Sequence, residues 1–215
     1  MSKIALIAGA GGLVGSHLVR DLIGSPDYGS VISLGRHGVG WSHPKLKQIT
    51  VDFGNLQALP QDLRADDAFC TLGTTLKKAG SPEAFRKVDF DVTLQFARAC
   101  LARGARTFTV ITSLGANPQS RFLYTRVKGE LEQALRGLGF PALTILRPSL
   151  IVGNRPEHRL GETLAEVCLL LSRPVLVGSL KKYRAVEAAT IARAMVSAAQ
   201  APKPGTRILE SDQIQ

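Results

Sequence analysis

The sequence predicts an α/β fold built on a doubly wound, mostly parallel sheet, and two observations predict it. Apolar runs of strand length alternate with stretches whose apolar residues recur at helical spacing. A glycine-rich turn joins the first strand-like run directly to the first helix-like one. Such alternation means βαβ units, with helices covering both faces of the sheet.

"KIALIAGAGG" is an aliphatic run ending in glycines, and in "LVGSHLVRDLI" Leu13, Val14, Leu18, Val19, Leu22 and Ile23 recur at helical spacing. "SVISLGR" reads as a second strand and "KLKQITVDF" as a third, separated by a turn-rich stretch marked by Gly38, Gly40 and Pro44. "DDAFCTLGTT" is a fourth strand running into a loop. Ser81 and Pro82 then give a helix start signal, and the apolar stripe of Phe85, Val88, Val92, Phe96 and Ala99 continues it. "RTFTVITSLGA" is a fifth strand ending at Thr112 and Ser113, followed by a helix from about Arg121 to Leu138 that Gly139 closes. "ALTILRPS" is a sixth strand, halted by Pro148. Beyond it the sequence suggests an apolar helix near Leu160 to Leu171, a short "PVLVG" strand, a basic turn, a helix from about Glu187 to Ala199 and a final "TRILE" strand. The chain after Ser149 is too short for a second core, so residues 1–215 are expected to form a single domain with a small C-terminal substrate lobe.

Composition narrows the function classes. With 45% hydrophobic and 20% charged residues the chain should be soluble and globular. Its opening apolar run is short and breaks into glycines, as a buried strand does and a signal peptide does not. No apolar stretch reaches the roughly 18 residues of a membrane span; "LAEVCLLLSRPVLVG" is interrupted by Glu166, Arg173 and Pro174. Cys70, Cys100 and Cys168 are far apart and set among apolar residues, which suits buried thiols in the cytoplasm and neither a disulfide framework nor a zinc site. The net charge of +10 is spread along the chain, and with 6% aromatics no basic stripe alternates with stacking residues, so nucleic acid is not expected as a partner.

Three constellations carry chemistry. In Gly9-Ala-Gly11-Gly12-Leu13-Val14-Gly15, glycines permit a tight turn, a close approach to a pyrophosphate and close helix packing, and the helix N-terminus supplies amide donors. This is the pattern of a Rossmann-like dinucleotide site. At the end of the second strand, "SLGRHG" lacks the acid that would grip both ribose hydroxyls of NAD, whereas Arg36 suits the 2′-phosphate of NADP; NADP (NADPH) is therefore expected ahead of NAD. Asp52 either accepts from the adenine amino group or caps a helix ahead of Asn55 and Leu56. The third set is Ser113, Tyr124 and Lys128. Ser113, with Thr112 as an alternative, can donate to a substrate carbonyl oxygen at a strand end, Tyr124 can deliver the proton, and Lys128, four residues on, can hold the cofactor ribose while lowering the phenol's pKa.

Together these features resemble the short-chain dehydrogenase/reductase superfamily in its extended or atypical branch. "CTLGTTLKKAG", "FLYTRVKGELE" and "LRPSLIVGNR" are similar, more closely, to the Tat-interacting-protein-like NADP-binding oxidoreductases. The resemblance implies that Gly9, Gly12 and Gly15 form the pyrophosphate turn, that Arg36 meets the 2′-phosphate, and that Leu72 and Gly73 cover the adenine and ribose. It makes Ser113, Tyr124 and Lys128 the catalytic triad and puts Pro148 and Ser149 near the nicotinamide. Asp89 stands where many superfamily members have an asparagine that anchors a proton-relay water.

The expected function is reduction of a carbonyl substrate, or its reverse, with Tyr124 as acid/base. The alternative is an NADP(H)-binding regulator that acts on a protein partner with little turnover. Arg155, Arg159 and Glu162 either contact an anionic ligand or pair with one another; Tyr183 is a packing residue near the pocket. A homodimer is implied by the resemblance alone.

Overall fold

The computed structural model describes residues 2–56, 59–60, 62–153 and 178–214. β1 (Lys3–Ala8) is buried from Ala5 onward. A strand covered on both faces has no wet side, which is why its sequence is a continuous apolar run rather than an alternating one. β2 (Tyr28–Gly35) and β3 (Leu46–Thr50) extend the sheet on one side of β1, and β4 (Asp67–Cys70), β5 (Thr107–Ile111), β6 (Ala142–Arg147) and β9 (Gly205–Glu210) extend it on the other. The order is β3-β2-β1-β4-β5-β6-β9, and every neighbouring pair is parallel. The chain reverses its direction of growth between β1 and β4, so the ligand crevice of such a sheet opens beyond their carboxyl ends.

On one face α1 (Leu13–Gly24) packs with α6 (Ala188–Gln200), burying Leu18, Val19, Leu22, Ile191 and Met195 against β1 and β2. On the other lie α4 (Thr93–Ala102) and α5 (Leu123–Arg136), with a ring stack of Phe96, Phe108 and Phe140 whose centroids are 6.0 and 5.0 Å apart. At the amino ends of the strands the buried Asp67 carboxylate accepts from Lys3 Nζ at 3.0 Å, Tyr28 Oη at 2.8 Å and Thr107 Oγ1 at 2.8 Å, joining β1, β2, β4 and β5.

The expected sheet is present, with four differences of detail. The helix begun by Ser81, whose hydroxyl accepts from Ala84 N at 3.1 Å, runs as α3 (Pro82–Arg86), a π turn (Lys87–Val92) and α4. The π turn rotates the inward face: Asp89 and Thr93 are buried where the apolar stripe put Val88 and Val92, which lie at the boundary. α5 is shorter than expected at both ends, because Gly137 caps it and Gly139 makes the left-handed reversal, φ 76°, after the helix has ended. α2 (Leu76–Ala79) and the parallel pair of β7 (Ile151–Val152) with β8 (Val186–Glu187) were not legible from periodicity.

The tail of the chain also returns to the sheet. α6 and β9 follow Ser149 yet belong to the main layers, whereas β7 and β8 form a separate two-stranded pair. The helix expected near Leu160 to Leu171, most of "PVLVG", Cys168, Arg155, Arg159 and Glu162 lie outside the described residues.

Candidate active site

The glycine turn between β1 and α1 is shaped by contacts that admit no side chain at two positions. Gly9 has φ 94°, and a Cβ there would lie 2.6 Å from Thr71 Oγ1; a Cβ on Gly15 would overlap the Gly9 carbonyl. Gly12 N donates to Gly9 O at 3.0 Å, and Gly12 has no side chain with which to cap α1, so the first-turn amides from Leu13 to Gly15 keep their donors for a ligand. Gly11 differs, since nothing lies within 4 Å of a Cβ built on it. No protein atom requires glycine there, and an open cradle of this kind fits a ligand drawn close to the backbone. Val14, expected to meet the cofactor, has its side chain in the core; only its amide faces the turn. Thr71, which the sequence reading passed over, donates its hydroxyl to Gly9 O at 3.0 Å and so fastens the turn to the end of β4.

Arg36 follows the last residue of β2 and is exposed. Asp52 acts as a turn cap, its Oδ1 accepting from Gly54 N at 2.8 Å. Leu72 and Gly73 open the loop after β4, next to the glycine turn.

Ser113 lies just past β5, 7% exposed, and its Oγ is buried with no hydrogen-bond partner among the described residues. A buried hydroxyl without a partner is costly, and a bound ligand is one thing that relieves it. Thr112 is no substitute: its Oγ1 donates to Glu132 Oε1 at 2.7 Å, away from any ligand. Tyr124 stands in the first turn of α5, partly exposed, its ring 5.6 Å from that of the buried Phe85. Lys128, one turn further, is 4% exposed and its Nζ lies 2.7 Å from Asp89 Oδ1. Asp89 Oδ2 accepts from Thr74 N at 2.9 Å. Burial pushes the neighbouring Cys70 thiol up to about 11. Pro148 is buried and its carbonyl accepts from Leu114 N at 2.9 Å, while Ser149 is held by Ser211 and by the Arg184 carbonyl. Tyr183 is half exposed beside Lys182, 5.3 Å from ring centroid to ammonium.

Comparison with known proteins gives these residues a context. The model of the HIM1 family matches residues 44–177, more than half of the chain. The chain belongs to the HIM1 family. Among its relatives, the protein HTATIP2 of Rattus norvegicus is 33% identical over 208 residues, covering 95% of this chain and 84% of the relative. The mitochondrial protein FMP52 of Candida albicans is 35% identical over 166 residues, 74% of this chain and 72% of its own. Among solved structures, the Bordetella bronchiseptica enzyme WbmH in complex with NAD+ matches with a TM-score of 0.73 at 17% identity, over 98% of this chain and 76% of that one. That last likeness is one of fold. It matches the Rossmann-like parallel sheet that the sequence predicts. Among the described residues no helix is long and apolar enough to cross a membrane.

Proposed function

We propose that the protein is an NADP-dependent oxidoreductase of the short-chain dehydrogenase type, acting on a carbonyl or alcohol substrate. One observation carries the reading: the uncapped glycine turn after β1, the unpartnered Ser113 hydroxyl after β5 and the Tyr124 and Lys128 pair on α5 are all set at the carboxyl end of the same parallel sheet. The amides of Leu13 to Gly15 hold the pyrophosphate, with Gly9, Gly11 and Gly12 clearing its path. Arg36 meets the 2′-phosphate, Asp52 and the Leu72–Gly73 backbone border the adenine and ribose, and Pro148 borders the nicotinamide. The bound dinucleotide supplies the hydride. Ser113 Oγ donates to the substrate oxygen, Tyr124 Oη exchanges a proton with it, and Lys128 Nζ donates to the ribose hydroxyls. WbmH, solved with NAD+, supports a nicotinamide dinucleotide as the cofactor class, and Arg36 supports the choice of NADP within it.

Nicotinamide fluorescence on wild type and on Arg36→Glu tests this. NADPH should bind wild type and lose roughly tenfold or more in affinity in the variant, the loss expected for a charge-assisted contact of about 1.5–3 kcal/mol, while NADH binding changes little. Absence of binding by any nicotinamide dinucleotide would sink the reading. Binding without turnover of any carbonyl, with Tyr124→Phe as the blank, would favour the regulator that senses NADP(H). The cytoplasmic location rests on the buried Cys70 and Cys100 thiols; because FMP52 of Candida albicans is named mitochondrial, cell fractionation is the measurement that decides it.

A further inference from the structure

A helix whose apolar stripe would have carried Val88 and Val92 inward instead buries Asp89 completely. The π turn causes the exchange, and π turns recur at functional sites because they re-aim one side chain inside an otherwise regular helix. Burying a carboxylate is costly unless it is paired and hydrogen-bonded. Asp89 is both: Oδ1 lies 2.7 Å from Lys128 Nζ and Oδ2 accepts from Thr74 N. One side chain thus joins the loop after β4, the π turn and α5. Gly73 lies against the same pair, where a Cβ would come to 3.5 Å from Asp89 Oδ1 and 3.8 Å from Lys128 Nζ.

We propose that Asp89 is a positioning residue that fixes Lys128 and cancels its charge, so that Lys128 serves as an oriented hydrogen-bond donor and not as the free cation that acidifies Tyr124. Lys128 and Tyr124 are one helical turn apart, so an uncompensated ammonium would favour the phenolate. The other titratable groups around them do not supply that charge. From β4, Cys70 is a neutral thiol. From α3, Arg86 is paired with Glu130 of α5, and Arg126 lies 4.0 Å from the same carboxylate. Glu132 is turned to Arg147, and Lys87 and Asp91 of the π turn are exposed. The donor role of Lys128 rests on the cofactor reading above, but the charge relation is a property of the cofactor-free protein and is tested there.

The experiment is a spectrophotometric tyrosinate titration of the cofactor-free protein, with the Tyr124→Phe curve subtracted to isolate Tyr124 from Tyr28 and Tyr183. Asp89→Asn keeps an acceptor for Thr74 N and leaves the ammonium uncompensated, so the Tyr124 transition should move to lower pH. Lys128→Met leaves the carboxylate alone and should move it to higher pH. The double variant should return it close to the wild-type position. That order is electrostatic, and a general loosening of the fold would not produce it. An Asp89→Asn transition that coincides with wild type overturns the proposal. Should Asp89→Asn not fold, Lys128→Met and the double variant carry the same test: an upward shift reversed in the double supports the proposal, and one that persists overturns it. NADPH binding to wild type is measured separately, so failure of the cofactor reading is told apart from failure of the charge relation.

Discussion

Tyr28 is fully buried and gives its hydroxyl to Asp67, and both features hold its phenol far above its ordinary 10, burial first and the carboxylate's charge second. Burial likewise pushes Cys70 up to about 11 and raises Cys100. The folded protein therefore keeps protons that the unfolded chain releases, starting near pH 9 for the thiols and near pH 10 for the phenol. Stability falls wherever the native state binds more protons than the unfolded one, so these contributions are intact below pH 9 and are lost as pH rises through the raised values. Each group should lower the unfolding free energy by about 1.4 kcal/mol per pH unit inside its window. Urea unfolding between pH 8 and 11 should show a descending limb, and Tyr28→Phe should remove the part that begins near pH 10. An identical slope in the variant would mean that the phenol ionises without opening the fold.

α5 shows how an element can be read from sequence while its reasons are not. Its apolar spacing and the closing glycines mark it as a helix, whereas the Tyr124 and Lys128 spacing alone does not separate a site from an ordinary exposed face. Its Gly129 serves a different end: a Cβ there would overlap the Asn117 and Pro118 backbone, so the loop from β5 crosses the helix only because that position is bare. Gly129→Ala should cost about 1–3 kcal/mol by overpacking, despite alanine's better helix propensity, and should shift the loop that follows Ser113; a neutral or stabilising result in thermal unfolding would show that the crossing has slack. The same division runs through the site. Gly9 and Gly15 were legible because a tight turn demands glycine there, and the six segments that became β1 to β6 were legible from their runs of strand-forming residues between turn signals. Thr71 was not, since its hydroxyl matters only once β4 lies beside β1, and at Val14 the motif does not tell an amide that faces the turn from a side chain that faces the core. The π turn evaded reading because the stripe of Phe85, Val88, Val92 and Phe96 satisfies an ordinary helical period, and only the partner at Lys128 gives Asp89 a reason to be inside.

For the molecule as a whole the question is what seals the far side of the sheet. β9 pairs with β6 along its full length, from Ala142 with Gly205 to Arg147 with Glu210, and its own Leu209 and the following Ile214 are buried. Arg147 ties the layers together: its Nε and Nη2 donate to the buried Glu132 of α5 at 2.9 and 2.6 Å, and its Nη1 donates to Glu210 of β9 at 2.9 Å. Glu132 also accepts from Thr112, so this network ends immediately behind Ser113, and Ser211 just beyond β9 accepts from Ser149 N beside Pro148. The last strand therefore supports the candidate site without contributing to it. Arg147→Met leaves Glu132 buried with only the Thr112 hydroxyl and the distant Arg136 guanidinium, 3.9 Å away, and should cost about 3–5 kcal/mol in urea unfolding, as breaking one side of a buried pair does. Glu132→Gln in the same chain removes the stranded charge and should restore most of that loss, whereas Glu132→Gln alone leaves Arg147 its Glu210 partner and should cost less than Arg147→Met. Equal losses in all three variants would mean that the network is set by packing and that its charges are incidental.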